Sequence, residues 1–224
     1  MSPTTIGDLW LPVLGGPGSV APFLRNHTTD ASASFSSSVS VTFSSSYSTS
    51  AGDCIVIAYA GSGTNTPSFS GCGATWTTYN AGAAGPTIGL AVGYNCTGGG
   101  TSITMTNWNA VDGGITIAIF GGIATVTPVT AHQSAYASGG VTSETTPSLS
   151  YTVGELIVMG YGQGASSAVT PSFSAGSVTV LTGSGGNRAD GLAYWLSTTG
   201  SSGTANVTIG ATQSLGVTVA ALNP

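Results

Sequence analysis

Gly52-Asp53-Cys54-Ile55-Val56-Ile57-Ala58-Tyr59 recurs 102 residues later as Gly154-Glu155-Leu156-Ile157-Val158-Met159-Gly160-Tyr161. In both places a glycine and an acid precede a short run that stays apolar at successive positions. A run of that length with no polar face predicts a central strand covered on both sides. The match extends outward on the same offset. Gly89-Leu90-Ala91 returns as Gly191-Leu192-Ala193, and Gly114-Ile115-Thr116-Ile117-Ala118 returns as Gly216-Val217-Thr218-Val219-Ala220. Thr66-Pro67-Ser68-Phe69-Ser70 returns as Thr170-Pro171-Ser172-Phe173-Ser174 at an offset of 104, so one loop differs by two residues and is then compensated. Ordered matches at a nearly constant spacing indicate an internal duplication.

Around these anchors each copy reads as short strands separated by Gly- and Ser-rich turns. The expected strands are 38–43, 54–60, 74–79, 87–95, 101–107 and 114–120, then 147–152, 155–161, 176–182, 190–197, 204–209 and 215–222. Ser102-Ile103-Thr104-Met105-Thr106 alternates, with Ile103 and Met105 facing inward. No long window carries a helical period. The expected fold class is all-β, with two tandem β-sandwich modules of jelly-roll or immunoglobulin-like type over residues 34–125 and 126–224. Residues 121–146 read as linker plus the first strand of the second module.

Residues 1–33 read as an extended N-terminal arm without a counterpart in the second copy. Pro3, Pro12, Pro17 and Pro22 forbid a long helix there. Trp10, Leu11, Val13, Leu14, Phe23 and Leu24 give the arm more apolar surface than water tolerates, so they are the candidate partner-binding residues. Such an arm either packs along its own module or docks onto a neighbouring subunit.

Charged residues make up 4% of the chain, against about a quarter in ordinary soluble proteins. Lysine is absent, and the cations are Arg25 and Arg188. Disorder is not the reading, because 41% of residues are hydrophobic. With a net charge of −5 and no basic patch, the chain is a poor partner for nucleic acid or for an anionic membrane surface. No apolar run is long enough for a membrane span, and Met1 to Asp8 lack the basic and apolar regions of a secretory leader. The expectation that follows is a particle component, assembled in the host cytoplasm and released by lysis. Three cysteines, Cys54, Cys72 and Cys96, are too few and odd in number for a disulfide framework. Cys54 reads as a small core residue. Cys72 and Cys96 could pair, but their spacing fits no zinc ligand set.

Catalytic chemistry finds little to work with. His27 lies in the arm and His132 in the linker, and neither is near a Ser or Cys nucleophile in a known signature. The acids Asp8, Asp30, Asp53, Asp112, Glu144, Glu155 and Asp190 are scattered in turn-like contexts rather than paired as glycoside hydrolysis needs. Asp53 and Glu155, at equivalent places after a glycine, read as turn residues capping backbone amides. Asp190, beside Arg188, reads as part of a surface ion pair. No catalytic residue, cofactor ligand or metal ligand is expected. Trp76 and Trp195 fall inside strands and read as core. Trp108, between Asn107 and Asn109 at a strand end, is the best candidate for contacting a glycan.

The Gly-Asp turn with its apolar strand (Gly52 to Tyr59), the Trp76-Thr77 pair and the closing strand Gly114 to Ala118 resemble β-sandwich modules in virion proteins of tailed bacteriophages, of the minor-tail and capsid-decoration types. The second copy keeps Gly154 to Tyr161 and the last strand but has Val178-Thr179 in place of the tryptophan pair. The resemblance covers residues 34–224. It implies a non-enzymatic structural protein on the particle surface that contacts other virion proteins and forms a homo-oligomer. It transfers no functional residues. A carbohydrate-binding host-surface adhesin is the alternative.

Overall fold

The computed structural model describes residues 20–30, 38–82, 87–110, 113–164, 168–182 and 190–224. The first half forms β1 (Phe23–Asp30), β2 (Val39–Thr42), β3 (Cys54–Gly61), β4 (Ser68–Ser70), β5 (Thr75–Asn80), β6 (Thr87–Tyr94), β7 (Ser102–Thr106) and β8 (Gly113–Gly121). The second half forms β9 (Val129–Thr145), β10 (Leu149–Tyr151), β11 (Leu156–Gln163), β12 (Val169–Phe173), β13 (Thr179–Thr182), β14 (Asp190–Leu196), β15 (Ser201–Gly203) and β16 (Ala205–Leu222). The only helical element among the described residues is a 3-10 turn at Ser44–Ser46. The chain is all-β, and every strand pair is antiparallel.

The sheets follow from the sequence periodicity. A large sheet runs in the order β1-β8-β3-β6-β5, and a small one in the order β2-β7-β4. Ile55, Ile57 and Tyr59 of β3, with Ile115, Ile117 and Ile119 of β8, meet Val41, Phe69, Ile103 and Met105 of the small sheet. Each large apolar side chain buried this way contributes roughly 1.5–3 kcal/mol. In the second half the large sheet runs β13-β14-β11-β16-β9, with β12 pairing the first part of β16. Its core gathers Ile157, Met159, Tyr161, Val217 and Val219 against Leu149, Phe173 and Val207. The registers coincide: Ile57 pairs with Ile117, and Met159 with Val219, each residue 102 positions on.

A third core explains why Cys54 to Tyr59 carries no polar face. The other side of the first large sheet, with Val56, Ala58, Leu90, Val92, Ala118 and Phe120, packs on Leu156, Val158, Leu192, Ala220 and Leu222 of the second. The two large sheets therefore lie face to face, each covered on its far side by the smaller strands of its own half. β3 and β11 are buried along their full lengths.

Several expectations change. Of the two courses open to the arm, residues 23–30 take the first: they pack along their own half as β1, whose pairing partner is β8. Phe23 and Leu24 thus belong to the large sheet, while Trp10, Leu11, Val13 and Leu14 lie outside the described residues. β1 also has a counterpart in the second half. His27 pairs with Ala118 and His132 with Ala220, so the two histidines hold equivalent places on edge strands, both exposed, rather than in an arm and a linker. The expected linker is mostly β9, a long edge strand, and the last two expected strands of the second copy are one strand, β16.

Candidate functional site

Two glycines create an open concavity at one end of the first large sheet. Gly121 ends β8, and Gly122, which follows it, has φ +76°. A Cβ on Gly121 would lie 2.7 Å from both Phe23 Cζ and Arg25 Nε, and one on Gly122 would lie 2.6 Å from the Val20 carbonyl oxygen. Without side chains there, residues 20–25 settle close over the strand end. Val20, Phe23, Arg25, Gly122, Ile123 and Pro224 then line a groove of about 330 Å3. Val20 is 64% exposed and Phe23 43%, among the most exposed large apolar residues described.

A buried acid holds this rim in place. Asp53 is 1% exposed, and its Oδ2 accepts hydrogen bonds from the Ser50 N–H at 2.8 Å and the Tyr47 hydroxyl at 3.1 Å. Its Oδ1 lies 2.8 Å from Arg25 Nε. That oxygen has no aligned hydrogen bond, so the guanidinium charge compensates it. The guanidinium in turn sits 4.7 Å from the centre of the Phe23 ring, a cation–π contact worth about 0.5–1 kcal/mol at an exposed site. The expected capping role of Asp53 holds, and the link to Arg25 and Phe23 is added to it. Glu155 repeats the turn with a neutral partner: its carboxylate accepts from the Thr152 N–H and the Thr130 hydroxyl, each at 2.6 Å.

The outer faces of the small strands are neutral. Ser40, Thr104 and Ser70 stand side by side across β2, β7 and β4. Thr145, Asn206 and Ser172 do the same across β9, β16 and β12. Hydroxyl and amide groups thus face outward in both halves.

The remaining candidates fall into structural places. Trp108 is 1% exposed and packs in the first core, edge-on to Tyr59 at 5.9 Å. A stacked sugar needs an open ring face, so Trp108 is not a glycan contact. Trp76 and Trp195 are partly buried against the two cores, as their strand positions suggested. All three cysteines are free thiols. Burial pushes the Cys54 thiol up and the Cys96 thiol up to about 12, which leaves both poor nucleophiles at neutral pH. Asp190 is not in a surface pair: it is 3% exposed and lies between the large sheets, while Arg188 lies outside the described residues. Among the described residues no three His, Cys, Asp or Glu side chains converge as metal ligands. Sequence reasoning missed the Gly121-Gly122 seat and the Arg25–Asp53 pair, whose only signal was a lone arginine in a chain with almost no cations.

The chain matches no family model, no curated protein and no solved structure.

Proposed function

We propose that this chain is a non-enzymatic surface protein of a bacteriophage particle, of minor-tail or capsid-decoration type, built as two tandem β-sandwich modules. On this reading its N-terminal segment anchors it to other virion proteins. The observation that carries the reading is how its few ionisable groups are used. Asp53 and Glu155 each hold a turn and an edge strand, one through Arg25 and the other through Thr130. The outward rows of Ser, Thr and Asn offer neutral hydrogen bonds, and the exposed Val20 and Phe23 offer apolar contact. A surface of that kind binds through buried area and neutral hydrogen bonds, with little screening by salt. Residues 1–19 lead directly into Val20 at the groove rim, so the expected anchor adjoins the exposed apolar residues in sequence.

The test is particle incorporation. A chain lacking residues 1–19 keeps β1 and is expected to fold, yet to be lost from purified particles. Phe23→Ser is expected to weaken incorporation, and the intact chain to stay bound in about 1 M salt, where the Debye length is about 3 Å. Normal incorporation of the truncated chain would remove the anchoring role. Specific binding on a glycan array would favour the adhesin reading instead.

A further inference from the structure

The contact between the two large sheets is nearly two-fold in its residues, with one break. β3 faces β11, β8 faces β14, and β6 faces β16. On one side Ile88 of β6 lies against Gly216 of β16, where a Cβ would come 3.0 Å from Ile88 Cδ1. The equivalent pair on the other side, with the halves exchanged, is Asp190 of β14, 102 residues after Ile88, against Gly114 of β8, 102 residues before Gly216. A Cβ on Gly114 would overlap Asp190 Oδ1. An acid therefore occupies the place that a fully buried isoleucine fills in the other half.

Asp190 is poorly compensated there. Among the described residues its Oδ2 accepts a hydrogen bond from the Thr116 hydroxyl at 3.1 Å, and no side chain or neighbouring strand donates to its buried Oδ1. β3, β6, β8, β11, β13 and β16 contribute no Asp, Glu, Lys, Arg or His, while β1, the outer neighbour of β8, carries Asp30 opposite Ile115, one residue from Thr116. A titratable group that feels Asp190 is the Tyr161 phenol, beside Gly191 on the opposite face of the same sheet. Burial, then Asp190 itself, pushes that phenol up, so it stays neutral while the acid titrates.

We propose that Asp190 makes the junction between the large sheets pH-sensitive: the protonated acid is accommodated between β8 and β14, and its ionisation loosens that end of the packing. A buried carboxylate without a cation or a full set of donors is costly, whereas the neutral acid needs little beyond the Thr116 hydroxyl. Burial accordingly raises the Asp190 carboxyl to about 7 from its ordinary 3.8, with the Thr116 hydroxyl and its own backbone N–H pulling the other way. The sign follows from linkage. The folded state holds the proton more tightly than the unfolded chain, so this contribution to stability is full below about pH 4 and is lost as pH rises through about 7. The device is independent of the particle role, because it is read on the free protein.

The test is urea unfolding of the full chain at pH 5 and pH 8, with Asp190→Asn and Arg188→Gln alongside. Wild type is expected to show an unfolding constant roughly tenfold to a hundredfold larger at pH 8, because the unfolded chain gives up this proton more readily than the folded one. Asn is expected to abolish that difference, and Arg188→Gln to keep it. Hydrogen exchange, corrected for intrinsic rates, should speed up with pH at the β8 and β14 amides more than in β2 or β7. Should Asp190→Asn fail to fold, the carboxylic C=O infrared band of the wild-type protein serves instead. It should persist at pH 6 and fade near pH 7. A wild type equally stable at both pH values, an Asn variant with the same difference, loss of the difference in Arg188→Gln, or absence of the infrared band at pH 6 would each overturn the proposal.

Discussion

Residues 107–110 and 209–212 occupy the same place in the two halves, yet one leaves the sheet and the other stays in it. In the first half β7 stops at Thr106 and β8 begins at Gly113, while in the second β16 runs unbroken from Ala205 to Leu222. The residue after the first strand decides this. Asn107 has φ +63°, a left-handed conformation that asparagine tolerates and a β-branched residue resists. Its equivalent is Ile209, which stays extended in β16. The turn at Asn107 sends Trp108 into the core, and the Asn109 side chain fastens the loop by accepting from the Thr64 and Asn65 N–H groups at 3.1 and 3.3 Å. Trp108 fits because its neighbours are glycines: a Cβ would approach its ring to 2.8 Å from Gly113 and 3.0 Å from Gly63, and would overlap it from Gly61. The second half reverses the choice. Gly210 stands where Trp108 does and has open space around it, while Gln163 and Leu215 replace Gly61 and Gly113 and are fully buried. The same end of the core is filled once by a tryptophan over glycines and once by two larger residues beneath a glycine. Duplicated sheets tolerate divergence when a gain of volume on one strand is matched by a loss on its neighbour.

That comparison breaks most sharply at Trp108. Trp108→Ala should cost about 3–5 kcal/mol in urea unfolding, because the glycines around it cannot fill the cavity. Gly113→Leu, the residue of the other half, should cost about 1–3 kcal/mol by overpacking. Combining it with Trp108→Gly should cost less than the sum of the single changes, and simple additivity would show that the two sites do not share one space.

A smaller effect separates the two acid turns. Arg25→Ala leaves the buried Asp53 without its compensating charge and should cost about 1–3 kcal/mol. The upper end is reserved for wholly buried pairs, and the Arg25 side chain is 34% exposed. Thr130→Ala removes a neutral donor from Glu155 and should cost about 0.5–1.5 kcal/mol. Equal losses in the two variants would mean that the ion pair adds nothing beyond a hydrogen bond. The smallest effect belongs to Gly210→Ala, which adds a methyl group into open space and should stay within about 0.5 kcal/mol.

The strands easiest to read were those buried on both faces. Cys54 to Tyr59 and Leu156 to Tyr161 lack a polar face because each separates two cores, one within its half and one between halves. Edge strands were hidden for the opposite reason. Phe23–Asp30 carries Arg25, Asn26, His27, Asp30 and two threonines, and pairs on one side only, so it lacks the apolar run that marks a strand and reads as the end of the arm. The Thr-Pro-Ser-Phe-Ser match was legible but displaced. Phe69 pairs with Met105, whereas the residue in register with Val207 is Pro171, so the motif has slid by two residues. A slide of two preserves which side chains face the core, which is why both copies accept it. Asp190 and Trp108 misled in opposite directions. An acid near an arginine reads as surface, and a tryptophan between two asparagines reads as exposed, but a glycine on the facing sheet seats the first and an asparagine turn buries the second.

Ala58 and Gly160, equivalent residues at the middle of β3 and β11, meet where the large sheets pack. A Cβ on Gly160 would lie 3.3 Å from the Ala58 Cβ, close to the roughly 3.5–4.5 Å of a disulfide, with only the Leu90 side-chain methyl and the Gly89 carbonyl oxygen at 2.8 and 3.0 Å to accommodate. The most direct measurement is therefore peptide mapping of Ala58→Cys/Gly160→Cys protein refolded with oxidised glutathione. Face-to-face packing of the two halves within one chain predicts an intrachain link between positions 58 and 160 in a monomer. Two free thiols at those positions, or a link found only between separate chains, would contradict it.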